Sequence, residues 1–112
     1  MADKRDIFAV IPREEAFNIV KKFKEHLIKI GVPVSQIYIY GSYASGKPHY
    51  GSDIDVCVLS DTFKDKLESD LLLRHEAIKI DSRIETVAYS NETFEDWIPL
   101  VWEIKQKGIS IN

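Results

Sequence analysis

Two runs rich in β-branched and aromatic residues, Val34 to Tyr40 and Asp53 to Leu59, are separated by small side chains punctuated by Gly41, Gly46, Pro48 and Gly51. Such a stretch holds at most a single helical turn and a loop. A parallel crossover usually needs a link of about a dozen residues or more, most often a full helix, so the two strands are expected to pair antiparallel. Around this pair the hydrophobic spacing predicts helices. After Pro12, residues Phe17, Val20, Phe23, Leu27 and Ile30 recur at three- and four-residue steps opposite Lys21, Lys22, Lys24, Glu25 and Lys29, and Gly31 with Pro33 marks the stop.

A second helix is expected over Phe63 to Ile78, turned inward through Phe63, Leu67, Leu71, Leu72 and Ala77 and capped by Ser60 or Asp61. Asp81 and Ser82 then break the pattern, and Arg83 to Tyr89 alternates as a third strand. A last helical region around Phe94 to Lys107 is interrupted or restarted at Pro99 and ends at Gly108, with a brief strand at Ile109 to Ile111. The order helix, strand, strand, helix, strand, helix predicts an α+β fold, one mixed β-sheet with helices packed on it.

Length and charge narrow the possibilities. At 112 residues, 45% hydrophobic and 29% charged, the chain has the composition of one folded domain over 1–112 and not of a disordered segment. A net charge of −3 leaves no general basic field for long duplex DNA. The single Cys57 cannot form an internal disulfide, and no apolar stretch has the length of a signal sequence or a membrane helix. A reducing, cytoplasmic setting is the expectation.

The chemistry concentrates between the first two strands. Asp53 and Asp55 open a strand, where β propensity disfavours aspartate, and one intervening residue puts both carboxylates on one face. Two such carboxylates repel when ionised, and a hard cation such as Mg²⁺ relieves that repulsion while keeping positions open for phosphate oxygens. Gly41 allows close backbone approach, and Ser42 adds a hydroxyl beside exposed N–H donors, a combination suited to phosphates. A third carboxylate is expected on a neighbouring strand, with Glu85 the first candidate and Asp81 its competitor.

Gly41-Ser42, followed after ten residues by Asp53-Ile54-Asp55, resembles the signature of the DNA polymerase β-like nucleotidyltransferase superfamily. Its minimal, antitoxin-type members resemble the chain over nearly its whole length, including Ser52-Asp53-Ile54-Asp55, Ile84-Glu85 and the closing Lys107-Gly108-Ile109. The resemblance implies a nucleotidyltransferase fold in which Asp53, Asp55 and Glu85 bind Mg²⁺ and Glu85 helps activate an acceptor hydroxyl. Gly41 and Ser42 would hold the phosphates of ATP or another NTP, with Lys47 nearby. An NMP, AMP from ATP, would pass to a hydroxyl acceptor with release of pyrophosphate. It further implies a protein partner, a HEPN-type RNase toxin, that some members silence by adding AMP to a tyrosine. The chain departs from the pattern at Tyr43, where many small members carry Arg, and at Glu85, where Asp is commoner.

Plainer readings stand beside these. Asp53 and Asp55 alone would read as a solvated strand start, Glu85 as surface, and Gly41-Ser42 as a tight turn. Gly41 to Lys47 mimics a P-loop, but Pro48 occupies the position where that loop needs a Ser or Thr hydroxyl. His49 is a candidate to face the acceptor, or simply polar surface, and Cys57 reads as a small core residue. Trp97 and Trp102 are expected in the core, an exposed apolar patch there favouring instead a protein partner. The alternative function, from a different class, is a catalytically idle module that neutralises a partner by surface contact.

Overall fold

The structure, a computed structural model, describes residues 10–48 and 51–112. His49 therefore lies outside the described residues. Among the described residues four helices and four strands follow one another: α1 (Arg13–Lys29), β1 (Gln36–Tyr40), the short α2 (Ser42–Ser45), β2 (Ile54–Leu59), α3 (Lys66–Ile80), β3 (Ile84–Tyr89), α4 (Pro99–Lys107) and β4 (Ile109–Ser110). The sheet order is β3-β2-β1-β4. β1 runs antiparallel to β2 and β4, whereas β2 and β3 are parallel and joined through α3. The mixed sheet and the antiparallel first pair agree with the expectation from the sequence. No helix among the described residues is long and apolar enough to cross a membrane.

Strand alternation divides the interior into two cores. Ile37, Ile39, Ile54, Val56, Val58, Ile84 and Ala88 face α1 and α3, and meet Ala16, Val20, Phe23 and Leu27 of α1, all fully buried. Cys57, Leu59 and Tyr89 face the opposite side, where Phe94 and the α4 residues Val101 and Ile104 cover them. The first helix thus has the expected inward spacing, except that Ile30, at its end, is exposed and Ala16 takes part in the core.

The second predicted helix is turned differently from the expectation. Its core residues are Ser69, Leu73, Glu76 and Ala77, while Leu67, Leu71 and Leu72 are exposed. Leucines at both three- and four-residue offsets left two competing faces in the sequence, and packing chose the one bearing Leu73 and Ala77. Glu76 is buried on that face because it has partners. His26 Nε2 on α1 lies 2.9 Å from Glu76 Oε1, and Lys79 Nζ donates to Oε2 at 3.0 Å. Hydrogen bonds from His26 and then Lys79 hold the Glu76 carboxyl below the usual carboxylate range.

The caps also shift. The N-cap is Asp65, whose side chain accepts from the Glu68 N–H at 2.9 Å, because Ser60 Oγ is engaged with Thr62. The last helix begins at Pro99, in the first turn where a missing N–H costs nothing, so residues Phe94 to Ile98 stay outside it. Trp97 and Trp102, expected in the core, are 77% and 54% exposed. A helix starting at Pro99 points Val101 and Ile104 at the sheet and leaves Trp102 on the outer side.

The orientation of α3 has a direct consequence for stability. Leu73→Ala should cost about 2–5 kcal/mol, as for a fully buried leucine. Leu71→Ala should stay within about 0.5 kcal/mol. Denaturant melts of the two variants check this, and equal losses would place Leu71 inside.

Candidate active site

The turn after β1 brings its neighbours together by backbone geometry. Gly41 has φ +71° and ψ −145°, a conformation open to glycine and strained for any side chain. A Cβ built on it would lie 2.2 Å from Asp55 Oδ2, so the carboxylate occupies the space a side chain would need. Antiparallel register explains the meeting, because Asp55 pairs with Tyr40, the residue before Gly41. From Gly41 the chain winds through α2, whose end is closed by Gly46 in the left-handed conformation and by Lys47 N–H donating to the Ser42 carbonyl at 3.0 Å.

Two of the three carboxylates of the sequence reading fall on one side of the sheet. Asp55 lies opposite Glu85 in the parallel β2–β3 register, and both alternate onto the face that α4 partly covers. Asp53 stands one residue ahead of β2, which begins at Ile54, not at Asp53 as expected. It is exposed, as is Glu85, whereas Asp55 is half-buried. Asp81, the alternative third carboxylate, is spoken for: its oxygens accept from Arg83 Nε at 2.9 Å and Nη2 at 2.6 Å. Glu85 is paired with no such cation among the described residues.

The carboxylates act on one another through their charges. Burial, and then the charges of Asp53, Glu85 and Glu103, push the Asp55 carboxyl up to about 6. Burial foremost, with Asp55 next, raises the neighbouring Tyr40 hydroxyl as well. Glu103, on the exposed side of α4, is a fourth carboxylate that no sequence pattern near Asp53 and Asp55 announced. Only the return of α4 across the sheet brings it there. Among the described residues no three His, Cys, Asp or Glu side chains are drawn together tightly enough to share one metal ion. The carboxylates share a face and a field without closing into one coordination shell. Their chemistry, oxygen donors whose negative charge is costly where Asp55 sits, nevertheless suits a hard divalent cation.

The remaining candidates separate. Ser42 is half-buried at the start of α2, beside Gly41. Lys47 is exposed just beyond α2. Tyr43, at a position of interest for a phosphate contact, is 2% exposed and belongs to the core under α1. A guanidinium does stand beside this segment, from elsewhere in the chain: Arg13 Nε donates to the Tyr43 carbonyl at 3.1 Å and Nη2 to the Ala44 carbonyl at 3.3 Å. Arg13 opens α1, thirty positions away, and its role follows from the packing of α1 on the turn and from no local motif. Cys57 is fully buried and its thiol is pushed up to about 12 by burial, in keeping with a core residue.

Two measurements probe this geometry. The Asp55 carboxyl titrates near 3.8 when unconstrained and at about 6 in the folded chain, so the folded state binds its proton more tightly between those values. Stability from this group is therefore lost as pH rises from about 4 to about 6 and stays lost above it. In metal-free buffer, Asp55→Asn should raise stability at pH 7.5 by about 1 kcal/mol, the shift being discounted for partial exposure, with no gain at pH 4. An equal gain at both pH values would contradict it. Gly41→Ala should cost at least about 2 kcal/mol from backbone strain and displacement of Asp55, read as a lowered urea midpoint.

Comparison with known proteins bears on the fold and the family. A family model for the nucleotidyltransferase domain matches residues 6–103. Among curated proteins, none matches the chain. Several solved structures share the fold. A crystal structure of a mutant toxin–antitoxin MntA-HpeT aligns with TM-score 0.60 at 23% identity, covering 83% of this chain and 71% of that one. A toxin–antitoxin crystallised with AMP-PNP aligns with TM-score 0.61 at 24% identity, covering 86% and 72%. A candidate nucleotidyltransferase from Sulfolobus solfataricus aligns with TM-score 0.58 at 16% identity, covering 88% and 80%. With the family model spanning residues 6–103, most of its length, the chain belongs to the nucleotidyltransferase domain family.

Proposed function

We propose that the chain, as a single domain over 1–112, is a Mg²⁺-dependent nucleotidyltransferase that moves AMP from ATP onto a hydroxyl of a partner protein. The observation that carries the reading is the Asp55 carboxylate lying against the bare backbone of Gly41 with Glu85 alongside in register. That arrangement puts a phosphate-accommodating turn and acidic groups at one end of the sheet.

In this reading Asp53, Asp55 and Glu85 hold the cation, and Gly41, Ser42 and Lys47 hold the nucleotide phosphates. Mg²⁺ held by these residues would supply neutralisation of phosphate charge. The acceptor oxygen forms a bond to the α-phosphorus, the bridge to the β-phosphate breaks, and pyrophosphate leaves with the bonding electron pair. In this reading Glu85, exposed near the start of β3, takes the acceptor proton. Half-burial of Asp55 strengthens its hold on any cation, since the ionised form is otherwise disfavoured there. The toxin–antitoxin neighbours support a protein partner. A HEPN-type toxin is the hydroxyl acceptor we assign, in the reducing cytoplasm that a single cysteine suits.

A second reading, an idle module that silences its partner by contact, draws support from two observations. Tyr43 is buried where a phosphate-binding arginine would serve, and the acidic side chains do not gather into one tight cluster among the described residues. Thermal melts separate the two. MgATP at a hundredfold excess over Kd should add about 2.7 kcal/mol, against no change with EDTA and ATP, whereas an idle module melts alike in both.

The catalytic reading is tested with labelled ATP and a co-expressed partner protein. Wild-type chain should label the partner, and Asp53→Asn with Asp55→Asn should lower the rate at least about a hundredfold. Equal labelling by both proteins would contradict it.

A further inference from the structure

β3 is the edge of the sheet on the side away from β1, and natural edges are usually blunted. Here the blunting leaves the middle open, since at the start of the strand the Ile84 N–H donates to the Asp81 carbonyl at 3.3 Å. At Ala88 the backbone N–H donates to Asp70 Oδ1 at 2.8 Å, and the carbonyl accepts from Lys66 Nζ at 2.7 Å. This ion pair from α3 thus satisfies the ladder groups where another strand would sit. Alternation along β3 turns the backbone N–H and C=O of Thr86 to the same open side, and among the described residues no partner meets them.

The open portion forms the floor of a groove of about 520 Å³ between β3 and α3. Its helical wall carries Leu67, Leu71 and Ile78, which are 68%, 56% and 60% exposed. Three large apolar side chains at that exposure along one line of a helix are more than scattered surface hydrophobes. Between them stands Arg74, exposed and without a carboxylate partner among the described residues. The groove thus offers three different things at once: unpaired ladder groups, an apolar wall and an unpaired cation.

We infer that this groove docks an extended segment of a protein partner, added to the sheet as a fifth strand beside β3, with apolar side chains on Leu67, Leu71 and Ile78 and an acidic side chain on Arg74. A docked helix would leave the Thr86 N–H and C=O covered and unpaired, at a cost a strand avoids. The unpaired guanidinium selects for a carboxylate and against a basic segment. Glu85 lines the same groove, so the docked segment lies against the rim of the acidic site. The inference does not depend on nucleotidyl transfer, since an idle binding module would use the surface equally.

The test is selection of short random peptides displayed on phage against the full chain, followed by binding of the synthetic winners. Peptides with alternating apolar residues and at least one acidic residue should emerge. Leu71→Glu and Thr86→Pro should each weaken them at least tenfold, the proline because it deletes the N–H that a new strand would use. Circular dichroism melts check that both variants fold. Arg74→Glu, a surface change that leaves the fold intact, should switch preference to basic peptides, and the Thr86 amide should become protected from hydrogen exchange on binding. Winners indifferent to Thr86→Pro, or no winners, would overturn the inference. So would sedimentation showing a dimer of the chain that Leu71→Glu converts to monomer, because the occupant would then be a second copy.

Discussion

The Asp55 carboxylate sits in the space that any side chain on residue 41 would fill, and much of the molecule is arranged to allow that. It requires glycine at the turn, for its backbone conformation as well as for room. It requires β1 and β2 to pair antiparallel with Tyr40 opposite Asp55, and therefore a short connection. It also requires Ile54 and Val56 to face the α1–α3 core so that Asp55, between them, faces the other way. A slip of one residue in register would bury the carboxylate among isoleucines and valines. The largely apolar core on that side thus positions the acidic group on this one.

Burial then gives the carboxylate its chemical character. Half-buried, with Asp53, Glu85 and Glu103 in range, Asp55 is an anion in an unfavourable place. Natural chains accept such a cost where a site uses it, and a strongly displaced acid in a partly enclosed setting is a functional marker on physical grounds. Elsewhere the chain neutralises its buried charge internally. Glu76 is held by His26 and Lys79, and Asp81 by Arg83. The contrast sets Asp55 apart: among the described acidic residues it is the one displaced upward, by burial first and then by other carboxylates.

Much of this was readable from the residues. Gly41, Ser42, Asp53 and Asp55 fix a local conformation and a side-chain direction through backbone rules that act over a few positions, and the antiparallel pairing follows from loop length. The outward face of α3 was not readable, because Leu67, Leu71 and Leu72 match an inward stripe as well as Leu73 and Ala77 do, and only the tertiary contacts with α1 and β3 decide between them. Burying Glu76 runs against composition rules until His26, fifty positions away, is seen beside it. Trp97 and Trp102 misled for a related reason, since aromatic size suggests core while the start of α4 at Pro99 sets which side they occupy. Arg13 and Glu103 enter the site region from the two ends of the chain, through packing that leaves no trace in a local motif.

The account rests on the glycine turn and the neighbouring carboxylates forming one place for a cation and a nucleotide. Paramagnetic broadening of backbone amide signals by Mn²⁺ with a non-hydrolysable ATP analogue reads that directly. Broadening should centre on Gly41, Ser42, Asp55 and Glu85, weaken through β1 and β2 with distance, and disappear in Asp55→Asn. Broadening centred elsewhere, or the same pattern surviving in that variant, would contradict the account.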